Sequence, residues 1–225
     1  MSNIYLKKNG VKSVRIIVVL ILSFAALPGH ASAIQDGYSP VEDMEHLLGR
    51  LNTNAATIES IQSHFIQKKQ LEFLDETIVS KGAFWFKKEN KLRWAYNEPF
   101  DYVIVINDGS FSIKDGEKVS AYDIDSNPAF AEINNLIVDM VRGNITEDKF
   151  EMTAFENLQY YLMKLVPRDA AMREVISSMN IYFSKSDLTV REVVMKESEK
   201  DYTVITFTDK QINEPIEDMV FSVDY

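Results

Sequence analysis

The fold of this chain is decided by the stretch GAFWFKKENKLRWAY at residues 82–96. Successive side chains of a strand point to opposite faces, so Phe84 and Phe86 share one face of the first half. Leu92 and Trp94 share a face of the second half for the same reason. Because a short polar run separates the two halves, the stretch predicts an antiparallel hairpin with aromatic residues on both strands.

A period of two extends outward from this hairpin over most of the chain and predicts a large antiparallel sheet. Asn-Asp-Gly at 107–109 and Asp-Gly at 115–116 are strong hairpin signals between consecutive segments. The predicted strands cover residues 61–73, 78–88, 91–96, 102–107, 110–114, 118–123, 150–155, 159–166, 175–184, 189–197, 202–211 and 219–223.

An amphipathic helix is predicted before the first strand. Ser39 is suited to the N-cap, Pro40 to the first helical position and Glu42 to a capping box. Apolar residues at helical spacing between Val41 and Ala55 form one stripe, which must pack against another element.

A second amphipathic helix is predicted at residues 128–141. Leu136 and Met140 lie on its apolar side, and Gly-Asn at 143–144 is typical of a helix end. A meandering sheet with two amphipathic helices on one face gives an α+β fold.

The first 33 residues have the three zones of a cleavable export signal. Four Lys and Arg residues and no acidic residue precede an apolar run at 16–27. That run is shorter than the ~20 residues that a membrane-spanning helix needs. Ala-Ser-Ala at 31–33 offers the small residues that a signal peptidase accepts. We therefore expect cleavage after Ala33, which leaves one exported domain at residues 34–225.

The charge and cysteine content of the expected mature chain exclude several classes of protein. Without the signal, 20 Lys and Arg oppose 34 Asp and Glu, a net charge of −14. Such a charge repels nucleic acids and anionic lipid surfaces, so no nucleic-acid partner is expected. Cysteine is absent, which excludes disulfides and the acylated cysteine of a bacterial lipoprotein.

Residues suited to catalysis are scarce. His46 and His64 are the histidines that follow the signal, and no phosphate-binding glycine loop or nucleophile elbow is present. We therefore expect no enzymatic activity, no metal site and no cofactor.

The aromatic residues leave two alternatives open. They could fill an ordinary core beneath the helices, or they could line an apolar hollow on the inside of a curved sheet. The alternation along the strands is the same in both cases.

Five segments, in their order along the chain, resemble one known family. They are SHFIQ at 63–67, GAFWFKK at 82–88, LRWAY at 92–96, INDG at 106–109 and INEPI at 212–216. The family is the LolA family of periplasmic lipoprotein carriers, and the resemblance covers nearly all of the chain after the signal.

The resemblance implies an unclosed β-barrel lidded by amphipathic helices. It also implies a function: the protein would bind the acyl chains of lipoproteins in its hydrophobic cavity and carry them from the inner to the outer membrane. The implied partners are acylated lipoproteins, an inner-membrane exporter and an outer-membrane acceptor, and the protein would act as a monomer without a cofactor.

The resemblance also assigns roles to individual residues. Lys88 corresponds to a basic residue that latches the lid, and Leu136 and Met140 fall on the lid helix. Most relatives have Arg followed by Pro where this chain has Lys88 followed by Glu89, and an ammonium lacks the planar fork of a guanidinium. The implied cavity wall consists of Phe65, Phe84, Phe86, Leu92, Trp94 and Ile104.

Two questions stay open at this stage. The cargo could instead be another lipid or a polyene intermediate, or the chain could be a sensor module that binds acyl groups as a signal. The cluster of Lys87, Lys88, Lys91 and Arg93, with Lys68 and Lys69 nearby, could be a docking patch for an acidic receptor or could protect a sheet edge.

The export signal generates the first prediction. We expect the protein recovered from the periplasm to begin at Ile34, because cleavage follows the small residues at 31–33. N-terminal sequencing of the periplasmic fraction checks this, and an intact Met1 in that fraction would contradict it.

Overall fold

The structure is a computed structural model that describes residues 37–74, 76–88, 90–107, 109–123 and 148–225. The predicted signal at 1–33 and the predicted lid helix at 128–141, with Leu136 and Met140, lie outside these residues. Within the described ranges, no helix is both long and apolar enough to cross a membrane.

Among the residues that the structure describes, twelve strands form one antiparallel sheet. Its order is β1-β8-β9-β10-β11-β12-β2-β3-β4-β5-β6-β7. The strands are β1 Ser39–Pro40, β2 Ser60–Gln70, β3 Ile78–Lys87, β4 Lys91–Glu98, β5 Tyr102–Asn107, β6 Ser110–Asp115, β7 Lys118–Asp123, β8 Phe150–Glu156, β9 Tyr160–Pro167, β10 Ser178–Ser184, β11 Val190–Lys196 and β12 Tyr202–Ile212.

The remaining elements of the described ranges are helical. They are helix α1 at Met44–Ala56, the single turn α2 at Ala170–Arg173 and a 3-10 helix at Asp218–Phe221. The edge strands β1 and β7 do not pair with each other in the described part of the chain, so the sheet is not closed. The predicted α+β fold with an unclosed antiparallel sheet is confirmed.

The predicted start of the first helix is wrong. Ser39 and Pro40 form β1 and pair with Glu156 and Phe155 of β8. Asp43 caps the helix instead, because its carboxylate accepts a hydrogen bond from the His46 N–H at 2.8 Å. A proline lacks the N–H that a central strand needs, so it fits an edge strand as well as a first helical turn.

Three other predicted elements differ from the structure. The strand predicted at 61–73 ends at Gln70. The predicted strand at 219–223 is the 3-10 helix Asp218–Phe221, which packs against the sheet and does not join it. The strand predicted to begin at Val175 begins at Ser178, because Val175 and Ile176 donate backbone hydrogen bonds to Met172 O at the end of α2.

The two faces of the sheet carry separate apolar clusters. The inner face, which α1 covers with Leu47 and Leu51, contains the large cluster. The outer face contains a smaller cluster of Val105, Ile216, Val220 and Phe221, with Trp85 packed against it. Both clusters follow from alternation along the same strands.

Gly82 allows β3 and β4 to pair closely beneath an aromatic ring. A Cβ atom at this position would lie 1.9 Å from Ala95 O and 2.8 Å from Phe65 Cζ. The register also shifts between Lys81 and Gly82 where these two strands pair. The glycine of the GAFWFKK segment is therefore required by a backbone contact.

This contact generates a prediction about stability. Gly82→Ala should lower the free energy of unfolding by about 3 kcal/mol or more, because neither the carbonyl nor the ring has room to move away. Gly49→Ala is the control: it lies in α1 with no atom within 4 Å of its added Cβ. It should stabilise by about 0.5–1 kcal/mol, since alanine favours a helix interior. Urea unfolding of both variants measures the difference, and equal midpoints would contradict it.

Candidate functional site

The six residues predicted as a cavity wall lie together on the inner face. The strand register places Phe84 opposite Trp94 and Phe86 opposite Leu92, while Trp94 also lies opposite Ile104. The four residues Phe65, Phe84, Phe86 and Leu92 are buried, whereas Trp94 and Ile104 are only partly buried against the same cluster. The structure thus brings together residues from four neighbouring strands, β2 to β5.

Six rings on this face form what we call the aromatic cluster: Phe65, Phe84, Trp94, Tyr96, Tyr102 and Phe207. Trp94 is central, with ring centroids 5.0 Å from Phe65, 5.2 Å from Phe84 and 6.0 Å from Phe207. Most of these pairs have the tilted or edge-to-face geometry that aromatic quadrupoles favour.

Phe207 is a member of the aromatic cluster that sequence reasoning missed. It lies opposite Phe65 where β12 pairs with β2. Its alternation with Ile205 along β12 indicated a common face, but a pairing between strands so far apart in the chain has no local signal.

Burial differs across the inner face. On β9 and β10 the side chains of Met163, Leu165, Met179 and Ile181 are fully buried. On β4 and β5, Leu92 and Ile106 are equally buried, but four other inner-face side chains are only partly buried; they are Trp94, Tyr96, Tyr102 and Ile104. Apolar surface on central strands is therefore left partly uncovered at the β4–β5 end.

The inner face also contains polar groups. Lys69 Nζ lies 3.1 Å from Glu197 Oε1, and both side chains are nearly buried. Burial raises the pKa of Glu197, and the neighbouring Lys69 opposes this rise. Tyr96 Oη donates to Gln67 Oε1 at 3.0 Å. These groups form partnered pairs at the edge of the apolar surface.

Ser63 Oγ and Trp94 Nε1 are shielded from solvent and have no hydrogen-bond partner among the described residues. Burial and the hydroxyl of Tyr102 raise the pKa of Tyr96, and the nearby indole of Trp94 lowers it. The indole N–H is therefore close to the Tyr96 hydroxyl but does not form a hydrogen bond of ordinary geometry with it.

A separate cleft of about 540 Å³ lies beside the start of α1. Its lining is mixed: Arg50 donates to the Tyr161 hydroxyl at 2.9 Å, and the charged or polar Asp43, His46 and Glu156 line it together with Val41 and Leu47. It differs in place and chemistry from the predicted apolar hollow. No group of three or more His, Cys, Asp or Glu suited to a metal ion occurs among the residues that the structure describes.

Comparison with protein families gives one match over most of the chain. Residues 56–224 match the family described as outer membrane lipoprotein carrier protein LolA. This chain belongs to the LolA family. No curated protein sequence is similar enough to count as a match.

Solved structures with a similar fold have low sequence identity to this LolA family member. MucB is 12% identical with a TM-score of 0.50, and the match covers 81% of this chain and 63% of MucB. A LolA superfamily protein from Nitrosomonas europaea is 11% identical with a TM-score of 0.44, covering 80% and 98%. The Mycobacterium tuberculosis lipoprotein LppX is 11% identical with a TM-score of 0.43, covering 78% and 99%. At these identities the likeness concerns the fold.

Lys88 of this LolA family member contacts the end of α1. Its Nζ donates to Glu59 Oε1 at 2.6 Å and to Ala56 O at 3.4 Å, and its backbone N–H donates to Glu59 O. A cation at the last carbonyls of a helix is favourable. The lid helix that Lys88 was predicted to latch lies outside the described residues, so the latch stays a prediction.

The cations around the β3–β4 hairpin bind the chain's own C-terminal segment, residues 213–225. Lys87 and Lys91 pair with Asp218 at 2.6 Å and 3.3 Å. Buried Arg93 donates to Ser222 O at 2.8 Å and to Tyr225 O at 2.9 Å. Edge protection is the wrong explanation for these cations, because β3 and β4 lie inside the sheet. Their partners within the chain also weaken the docking-patch hypothesis.

Arg93 generates a prediction about the C-terminal segment. Arg93→Met should destabilise by about 2–4 kcal/mol, because it removes the charge-assisted hydrogen bonds that a buried guanidinium donates to Val220 O, Ser222 O and Tyr225 O. Lys91→Met is the matched control and should shift the midpoint much less, since its partner Asp218 is solvent-exposed. Chemical denaturation measures both variants, and a loss for Arg93→Met no larger than that of the control would contradict the prediction.

Proposed function

We propose that this chain is a periplasmic carrier that binds the acyl chains of lipoproteins on its inner face and takes them from the inner to the outer membrane. The observation that supports this most is the partly uncovered aromatic surface on β4 and β5. In a filled core, the side chains of central strands would be buried throughout. Membership of the LolA family supports the same function.

Moving acyl chains through water without a carrier costs a large free energy. Each acyl CH₂ group exposed to water costs ~0.8 kcal/mol, so a cargo with several chains would need tens of kcal/mol to cross an aqueous compartment alone. An unclosed sheet provides apolar surface that can be covered or exposed without breaking a hydrogen-bonded barrel. Binding and release need no covalent step and no cofactor.

In this proposal two helices cover different parts of the inner face. Helix α1 packs on it with Leu47 and Leu51. The helix predicted at 128–141 would cover the rest with Leu136 and Met140, and Lys88 would help to hold the lid closed. The cargo would displace this cover when the exporter delivers it, and the acceptor at the outer membrane would favour its release.

Two neighbouring residues of β5 test the proposal. Ile104 is partly buried on the inner face and Val103 is partly buried on the outer face. Replacing either residue by Thr introduces the same hydroxyl group at adjacent positions. Ile104→Thr should weaken binding of an environment-sensitive fluorescent acyl probe by about 3- to 10-fold, because it removes apolar contact area and adds a polar group. Val103→Thr should leave probe affinity unchanged.

Fluorescence titration of the wild type and both variants provides the measurement. A wild type that does not bind the probe would overturn the proposal, as would equal losses in the two variants. The cargo is identified separately by mass spectrometry of molecules that co-purify from the native periplasm. Acylated N-terminal peptides support lipoprotein transport, whereas a free lipid or polyene would replace the lipoprotein in the proposal.

A further inference from the structure

Two polar atoms in the middle of the inner face have no partner among the described residues: Ser63 Oγ and Trp94 Nε1. Ser63 is only 6% exposed. A buried polar group without a hydrogen bond costs about 1–3 kcal/mol, so native proteins rarely contain one without a reason. Two such groups on one apolar face point to an acceptor that binds there.

Both residues flank the same phenylalanine. In the sheet register Ser63 lies opposite Phe84, and Phe84 lies opposite Trp94. The Trp94 ring is 5.0 Å from Phe65 on β2 and 6.0 Å from Phe207 on β12. Phe65 lies over Gly82 of β3, so the rings of β2 and β4 meet above β3, beside the row formed by Ser63, Phe84 and Trp94.

The neighbouring polar groups are already paired. Tyr96 donates its hydroxyl proton to Gln67, and Lys69 pairs with Glu197. Ser60, on the same strand as Ser63 and equally buried, donates to Glu214 O at 2.6 Å. Asn107 Oδ1 is also buried without a partner, but Asn107 alternates with Val105 on the outer face. On the inner face, the missing partner is therefore a feature of Ser63 and Trp94 and not of β2 in general.

The chemistry of the two groups limits what they can bind. An indole N–H is a donor only, and a serine hydroxyl can also donate. Two donors at an apolar surface suit an oxygen with two lone pairs, such as the carbonyl oxygen of an acyl ester or amide. A saturated hydrocarbon or a polyene has no such atom, and an ether oxygen is a weaker acceptor.

We propose that Ser63 Oγ and Trp94 Nε1 form a subsite for the carbonyl oxygen at the head of a bound acyl chain, within the cargo-binding face of the proposed carrier. The aromatic cluster contacts the hydrocarbon, and the subsite fixes the position of the ester or amide. The subsite rests on the proposed function, and it adds a preference for acyl groups over plain hydrocarbon.

A competition experiment tests this preference. Methyl hexadecanoate and hexadecyl methyl ether have chains of similar length but differ in the carbonyl group. Each is titrated against the fluorescent acyl probe bound to the wild type. The ester should compete about fivefold better than the ether, the ratio expected from one net hydrogen bond. Ser63→Ala and Trp94→Phe should each reduce this ratio towards one and leave competition by the ether nearly unchanged.

Ser60→Ala is the control for Ser63→Ala. It removes a hydroxyl of the same burial that has a partner, so it should lower the unfolding midpoint and keep the preference for the ester. Ser63→Ala should not lower the midpoint, because its hydroxyl makes no hydrogen bond in the unliganded protein. This contrast separates a binding role from a structural one.

The two indole N–H signals in a nitrogen-edited NMR spectrum give a direct readout on the wild type. The chain has two tryptophans, and Trp85 lies on the outer face, so its signal is an internal reference. The ester should shift the Trp94 signal downfield and leave the Trp85 signal in place. The ether should shift the Trp94 signal clearly less.

The outcomes separate the subsite from the carrier function. Equal competition by ester and ether, or an ester preference that survives both substitutions, would overturn the subsite while the carrier function stands. Failure of the probe and both competitors to bind the wild type would overturn the carrier function and the subsite with it. An ester preference lost in both variants, with the expected indole shift, supports the subsite.

Discussion

The pairing of β2 with β12 is the constraint on which the rest of the structure depends. β2 lies early in the described chain and β12 lies near its end, yet their ladder of hydrogen bonds joins the two halves of the sheet into one. It places Phe207 opposite Phe65 and so completes the aromatic cluster. It also directs the chain from the end of β12 onto the outer face, where Asn213 bonds back to Ser60.

The C-terminal segment then gives the two faces different roles. On the outer face, Ile216, Val220 and Phe221 cover Trp85 and Val105, and Arg93 holds the segment through its backbone carbonyls. The outer apolar surface is thus covered by a local segment of the chain itself. On the inner face, helix α1 packs on the sheet with Leu47 and Leu51 and is not part of its strand ladder. Contacts of that kind separate more readily than a hydrogen-bonded ladder.

The gradient of burial along the inner face connects this architecture to the proposed carrier. The β9–β10 side is packed to full burial and supplies stability. The β4–β5 side has large aromatic side chains that are only partly covered, with the unpaired Nε1 of Trp94 among them. Rigid aromatic rings offer a large contact area at a low cost in conformational entropy, which suits cargo chains of varying length.

The sequence by itself determined the local features of this protein. Alternation and turn residues predicted the strands from β3 to β7 within a few residues, and the faces of Phe84, Phe86, Leu92 and Trp94, because neighbouring hairpin strands follow from local chemistry. The segments around these strands also carried the family resemblance.

Features that depend on distant pairing were decided by the tertiary structure alone. The Ser39-Pro40 pair forms an edge strand because β8 offers it a partner, and Asp218–Phe221 form a 3-10 helix whose Val220 and Phe221 pack on the outer face. Only the tertiary structure shows that Arg93 and Lys87 bind the C-terminal segment, because a charge pattern does not reveal which carbonyl or carboxylate the fold brings close to a cation.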